Sequence, residues 1–216
     1  MKKRCILFIA SLFCFLSSFI IGDAMVFGAP LSGKTIIIDA GHGGHNPGAV
    51  ANGSVEEENN LAVALLLEAQ LKDAGAKVVM TRTEDRAVAT ETSSLREELQ
   101  ARVDIAERHN GDIFVSIHSN SNTNQNVHGA MTFYGGQASR DLAETIQKNL
   151  VYRTKANDKG IQTAGFYVIR NTSMPSVLVE MGFVSNPTEA KLLSDPSYRQ
   201  KLANGIYEGI EEYFRD

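Results

Sequence analysis

Residues 34–48 read KTIIIDAGHGGHNPG. The first six form a short apolar, β-branched run, the pattern of a buried strand. The run stops at Asp39 and passes into a loop of four glycines that carries His42 and His45. Neither G-x-G-x-x-G nor G-K-[ST] follows, so these glycines do not mark a nucleotide loop. They strip side-chain bulk from around His42 and allow backbone or ligand to come close.

Working outward, strands and helices alternate. Residues 61–71 present a broad apolar helix face, and Gly75 follows as a C-cap. Residues 77–81 (KVVMT) are a second strand. Ser94 and Glu97 form a capping-box pattern, opening a helix with Leu95, Leu99, Val103 and Ala106 on one face. Residues 113–117 (IFVSI) are a third strand and residues 130–134 a fourth. Ser139 caps a helix bearing Leu142, Ile146 and Leu150, and residues 166–169 and 176–179 read as two more strands. Asn186-Pro187 and Asp195-Pro196 each set a capping side chain before a proline at the first helical position. This order predicts an α/β fold: a single domain with a mostly parallel, twisted central sheet and helices on both faces.

The chain has 216 residues, 43% hydrophobic and 21% charged, an ordinary globular composition. Residues 1–24 read differently. Lys2, Lys3 and Arg4 precede an apolar run from Cys5 to Ile21, and Gly22 and Ala24 suit cleavage after Ala24. That is a signal peptide, with an uncleaved membrane anchor as the alternative, and either reading places the protein outside the cytoplasm. Residues 25–33 form a short segment before the catalytic domain, 34–216. Both cysteines fall in the signal, so a metal site in the domain must use histidines and carboxylates. The exported part carries 18 lysines and arginines against 24 aspartates and glutamates, a formal charge of −6. That balance argues against a nucleic-acid partner.

In an open α/β sheet, ligands bind beyond the carboxyl ends of the strands. Three residues with metal or acid/base capacity lie there: His42 after the first strand, His118 at the end of the third, and Glu180 at the end of the sixth. Two histidines and a carboxylate with one open position make a catalytic zinc site. Glu56, Glu57 and Glu58 open the first long helix; helix-dipole compensation explains one or two of them, and spacing does not choose the ligand. Glu180, between Val179 and Met181, is placed to have a raised pKa and to shuttle a proton, unless it is paired, for instance with Arg170. His45, His109 and His128 read as exposed or structural.

With DAGHGG at 39–44, TRTED at 81–85, LQARVDIA at 99–106, FVSIHSN at 114–120 and MPSVLVEMGFVSNPTEAKLL at 174–193, the chain resembles the zinc-dependent N-acetylmuramoyl-L-alanine amidases of family 3, bacterial peptidoglycan hydrolases, in their minimal single-domain form. The resemblance spans residues 34–213. In that family the first-helix glutamate follows a glycine by three positions, which from Gly53 selects Glu56. The resemblance therefore implies one Zn²⁺ held by His42, Glu56 and His118, with Glu180 as the catalytic base. It points to Asn120 and Arg170 for substrate or supporting roles, and to Asp39 for orienting His42 through a hydrogen bond. The implied reaction cleaves the amide between the lactyl group of N-acetylmuramic acid and L-alanine of the stem peptide. The partner is peptidoglycan and the chain is expected to act as a monomer. Some minimal members act in sporulation or germination. Rival readings are a zinc peptidase cutting elsewhere in the stem, an inactive wall-binding homologue, and an enzyme that needs an activating protein partner.

Overall fold

The computed structural model describes residues 29–215. The signal reading of residues 1–24, with its membrane-anchor alternative, lies outside the described residues, as do residues 25–28 and 216. Among the described residues no helix is long and apolar enough to cross a membrane.

Among the described residues, eight strands and six α-helices follow one another as β1 (Thr35–Ala40), β2 (Val50–Ala51), β3 (Ser54–Val55), α1 (Glu56–Asp73), β4 (Lys77–Met80), α2 (Leu95–Arg108), β5 (Ile113–Asn120), β6 (Ala130–Tyr134), α3 (Arg140–Thr154), β7 (Asp158–Thr163), α4 (Tyr167–Asn171), β8 (Ser176–Phe183), α5 (Pro187–Ser194) and α6 (Pro196–Arg215). Six strands form one sheet in the order β4-β1-β5-β8-β6-β7. Every neighbouring pair is parallel except β6 with β8. The expected single α/β domain with a mostly parallel sheet is the fold observed.

Alternation along the strands divides the core in two. Ile36, Ile38, Val115, Ile117, Val177 and Val179 face α1, α3 and α6. Ile37, Phe114 and Leu178 face the thinner layer of α2 and α4. On this second face the same alternation carries Asp39, Ser116, His118 and Glu180 to the carboxyl ends of their strands, so the chemistry gathers on the α2/α4 side.

The side-chain caps expected at Ser94, Asn186 and Asp195 form, whereas Ser139 makes no capping bond: its Oγ accepts from the Ser176 amide at 2.9 Å. Ser94 and Glu97 form the capping box of α2. Asn186 accepts from the Thr188 and Glu189 amides, and Asp195 from the Tyr198 amide at 2.9 Å. Gly75 follows α1 with φ of +87°.

Two elements differ from expectation. Residues 166–169 are not a strand; they lead into and form most of α4. Val168 and Ile169 are buried against Phe114 and Leu178. The Asn171 and Thr172 side chains donate to the carbonyls of Tyr167 and Val168, closing the turn. A four-residue apolar run has too little length for periodicity to tell strand from helix. The strand on that side is β7, whose sequence DKGIQT is polar. It lies at the sheet edge and is interrupted by Gly160 at φ +72°, so it shows no buried alternation.

Helices α3 and α6 meet at glycines. A Cβ on Gly209 would fall 2.4 Å from Ile146 Cα, and one on Gly205 2.7 Å from Leu150 Cα. Gly209→Ala should therefore cost at least about 1–3 kcal/mol of unfolding free energy, the range for overpacking. Gly136→Ala, with nothing within 4 Å of the added carbon, should change it little. Denaturant titration of both variants checks this.

Candidate active site

His42 stands in the loop after β1 with a left-handed backbone, φ +62°. Its Nδ1 lies 3.2 Å from Asn46 Oδ1, and Nε2 lies 3.2 Å from Glu56 Oε1. With the proton on Nδ1 donated to Asn46, Nε2 is left as a free lone pair. His118, near the end of β5, turns its Nδ1 to the same Glu56 oxygen at 2.9 Å. The two rings stand edge to face with centroids 5.0 Å apart.

Glu56 reaches this point because of a hairpin absent from the sequence reading. Strands β2 and β3 pair across Asn52-Gly53, both at positive φ (+51° and +74°), the two-residue turn that Asn-Gly favours. The Asn52 amide donates to the carbonyls of Val184 and Ser185, each at 3.0 Å, fixing the hairpin beside the end of β8. Glu56 is then the first residue of α1. Its second carboxylate oxygen accepts from the Ala49 amide at 2.9 Å. Burial would raise its pKa; hydrogen bonds with His118 and His42 outweigh burial and hold it well below the usual carboxylate range.

Small residues make the approach physically allowed. A Cβ on Gly41 would sit 2.3 Å from His118 Nε2, and a Cβ on Gly48 2.6 Å from Glu56 Oε2. Any other residue at 41 would drive the second imidazole out of place.

His42, Glu56 and His118 are the group among the described residues whose donor atoms could together hold a metal ion, all within 4.8 Å of one another. Ligands 2.0–2.1 Å from a tetrahedral ion lie about 3.3 Å apart. The observed 2.9 and 3.2 Å separations and the two-imidazole, one-carboxylate donor set fit zinc.

Glu180 lies across from His118 in the β5–β8 register and from Met131 in the β6–β8 register. It is 8% exposed, and its Oε2 has no hydrogen-bond partner among the described residues. Burial, with Glu56 adding repulsion, pushes its pKa up to about 8. The ion pair considered for Glu180 and Arg170 does not form. Arg170 is exposed near the end of α4 and lines a separate depression with Ser173 and Gly135.

These groups share a cavity of about 320 Å³. One wall is polar: His42, Asn46, Glu56, His118, Asn120 and Glu180. The other is apolar, made by Leu95 and Leu99 of α2 and by Phe166, Tyr167 and Val168 around α4. Asn120 also lines this cavity.

Asp39 is not hydrogen-bonded to His42. Its carboxylate accepts from Arg102 Nη1 at 2.7 Å, Thr81 Oγ1 at 2.8 Å and Ser116 Oγ at 2.6 Å, and is 1% exposed. The residue that orients His42 is Asn46. Its neighbourhood, Asn-Pro-Gly, marks a turn, and an Asn in such a turn commonly bonds locally. Arg102 was also missed, although it sits three residues after Leu99, on the buried stripe of α2. A guanidinium on an apolar helix face calls for a buried carboxylate partner.

The fold and site define a class: an α/β domain with a His–Glu–His group able to hold a metal beside a separate buried glutamate. The chain belongs to the N-acetylmuramoyl-L-alanine amidase family, whose model matches residues 36–212. It is 35% identical over 221 residues to the germination-specific N-acetylmuramoyl-L-alanine amidase of Bacillus subtilis (strain 168), covering 97% of this chain and 92% of that one. Among solved structures it is similar to the catalytic domain of CwlV, an N-acetylmuramoyl-L-alanine amidase from Bacillus (Paenibacillus) polymyxa var. colistinus. There the identity is 39% and the TM-score 0.77, over 84% of this chain and 98% of that one. It is also similar to the CwlD amidase of Clostridioides difficile, solved in complex with the GerS lipoprotein, at 36% identity and TM-score 0.78 over 84% and 98% of the two chains. The enzyme class expected from the motifs stands on these matches.

The Asp39 interactions predict a pH-dependent stability. Burial alone would raise its pKa, but Arg102 and the Ser116 and Thr81 hydroxyls hold it below the ordinary value. A carboxylate with a lowered folded pKa contributes stability that is complete above its unfolded pKa, about 3.9, and is lost as pH falls through the folded value. Asp39→Asn leaves Arg102 buried against a neutral amide, and should cost about 3 kcal/mol at pH 7. Unfolding titrations should show the gap between parent and variant narrowing in acid; a constant gap would assign the loss to packing.

Proposed function

We propose that this chain hydrolyses the amide between the lactyl carbonyl of N-acetylmuramic acid and the L-alanine amine of the stem peptide, with zinc held by His42, Glu56 and His118 and with Glu180 as general base. The observation that carries the mechanism is the pairing of two unlike carboxylates. Glu56 faces both imidazoles. Glu180 lies buried in the same cavity with an oxygen that no group among the described residues satisfies.

When bound, zinc acts as a Lewis acid on the scissile carbonyl and makes water a better nucleophile. Glu180 receives the proton of the attacking water at its unpartnered oxygen. In its ionised form it is a stronger base than an ordinary carboxylate, because burial raises its pKa, and it passes the proton on to the departing alanine nitrogen. Asn46 keeps the His42 ring in the tautomer that offers Nε2. Asn120 lines the same cavity and would hydrogen-bond the substrate, with Leu95 and Phe166 offering it apolar contact.

Residues 1–24 serve as an export signal in this reading, residues 34–216 form the catalytic domain, and the enzyme acts outside the cytoplasm as a monomer. The near full-length similarity to a germination-specific amidase supports a role in spore-wall processing. The similarity to CwlD, solved with a lipoprotein, favours a protein partner as a second reading.

Glu180→Gln should bind zinc as the parent does and lose at least about 100-fold in turnover of peptidoglycan, the usual size of a general-base effect. A variant that stays active would show that another group is the base. Metal analysis of the parent should find close to one zinc per chain. Glu56→Ala should weaken zinc binding far more than Glu57→Ala; the reverse order would move the ligand to Glu57.

A further inference from the structure

The three segments that bear the proposed metal ligands are bound to one another by buried side chains, mostly through backbone carbonyls. Arg82, 1% exposed, donates from Nε to the Ala40 carbonyl and from Nη2 to the carbonyls of Gly41 and Glu57, each at 2.9 Å. One guanidinium thus joins the residue before His42 to the residue after Glu56. Arg102, 2% exposed, donates to the Ala40 carbonyl at 2.9 Å and to the His42 carbonyl at 2.8 Å. Its remaining contacts are with Asp39 and Glu98, whose carboxylates balance its charge.

Asn60, fully buried one turn into α1, supplies the third connection. Its Nδ2 donates to the Gly41 carbonyl at 3.2 Å, and its Oδ1 accepts from Ser119 Oγ at 3.1 Å, beside His118. The Gly41 carbonyl therefore receives hydrogen bonds from both Arg82 and Asn60. His42 needs this restraint because its own backbone is left-handed, a conformation that is strained for a residue with a side chain.

We infer that Arg82, Arg102 and Asn60 are positioning residues that hold the His42, Glu56 and His118 segments in metal-binding register through hydrogen bonds to the chain around those ligands. The inference rests on the proposed assignment of those three ligands. A planar fork with several fixed donors can reach three carbonyls at once, which a lysine ammonium cannot do in the same geometry. Preorganisation of this kind is worth roughly 10–100-fold in metal affinity when lost.

The test is zinc affinity, measured by chelator competition on full-length folded protein. Arg82→Lys, Arg102→Lys, Asn60→Leu and Ser119→Ala should each weaken zinc binding, the first three by about 10–100-fold. Their Co²⁺ forms should show altered visible spectra, reporting a distorted ligand set. Gln147→Leu is the control for ordinary destabilisation. Gln147 is equally buried and bonds Thr132, Ala130 and Asp158 on the far side of the fold. That variant should lose stability and keep its zinc affinity. Asn60→Leu and Ser119→Ala remove the fewest bonds and keep the test decisive if an arginine variant does not fold. If they and the folded arginine variants hold zinc within twofold of the parent while Glu56→Ala does not, the inference is wrong and the ligand assignment stands. If Glu56→Ala also leaves affinity unchanged, the ligand assignment fails and this inference falls with it.

Discussion

The buried carboxylate of Asp39 is the constraint on which the rest of the site depends. It sits at the end of β1 and draws in a hydroxyl from β5, a hydroxyl from the residue after β4, and the guanidinium of Arg102 from α2. A charge at this depth is tolerable only when fully paired and hydrogen-bonded. Satisfying it fixes α2 against the sheet and brings Arg102 under the loop that starts at Gly41. The same guanidinium then holds the His42 carbonyl. Sheet geometry, helix placement and the position of His42 are parts of one hydrogen-bonded unit.

That unit explains why the two acidic groups at the site differ. Glu56 is surrounded by donors and remains a carboxylate, suited to hold a cation. Glu180 emerges from a fully buried strand with an oxygen unsatisfied among the described residues, and burial raises its pKa well above that of Glu56. Environments that push two carboxylates apart in this way assign them separate roles. In the proposed mechanism one glutamate holds the metal and the other carries the proton.

Much of this was legible in the sequence. Strand ends could be read from β-branched runs that stop at His42, His118 and Glu180, and helix starts from Ser94, Asn186 and Asp195. Choosing Glu56 among three adjacent glutamates needed the family resemblance, because all three stand in the first turn of one helix. The hairpin that delivers Glu56 was hidden because each of its strands has only two residues. Strand β7 was hidden by its polar edge composition, and α4 by a run too short to show a period. The partner of His42 was misassigned to Asp39 because proximity in sequence does not reveal that Asp39 points into the sheet layer, while Asn46 folds back over the loop. Arg82 and Arg102 lie within motifs read only as marks of resemblance. Their work is done on backbone carbonyls, which no spacing rule exposes.

The central claim is that a zinc held by His42, Glu56 and His118 directs cleavage to the bond between muramic acid and L-alanine. The most direct measurement is mass analysis of fragments released from purified peptidoglycan by the full chain, with and without a metal chelator. The account predicts free stem peptides with an L-alanine amino terminus and intact glycan strands, formed only when metal is present and restored by adding zinc back. Cleavage inside the stem peptide, or the same products from rigorously metal-free protein, would contradict it.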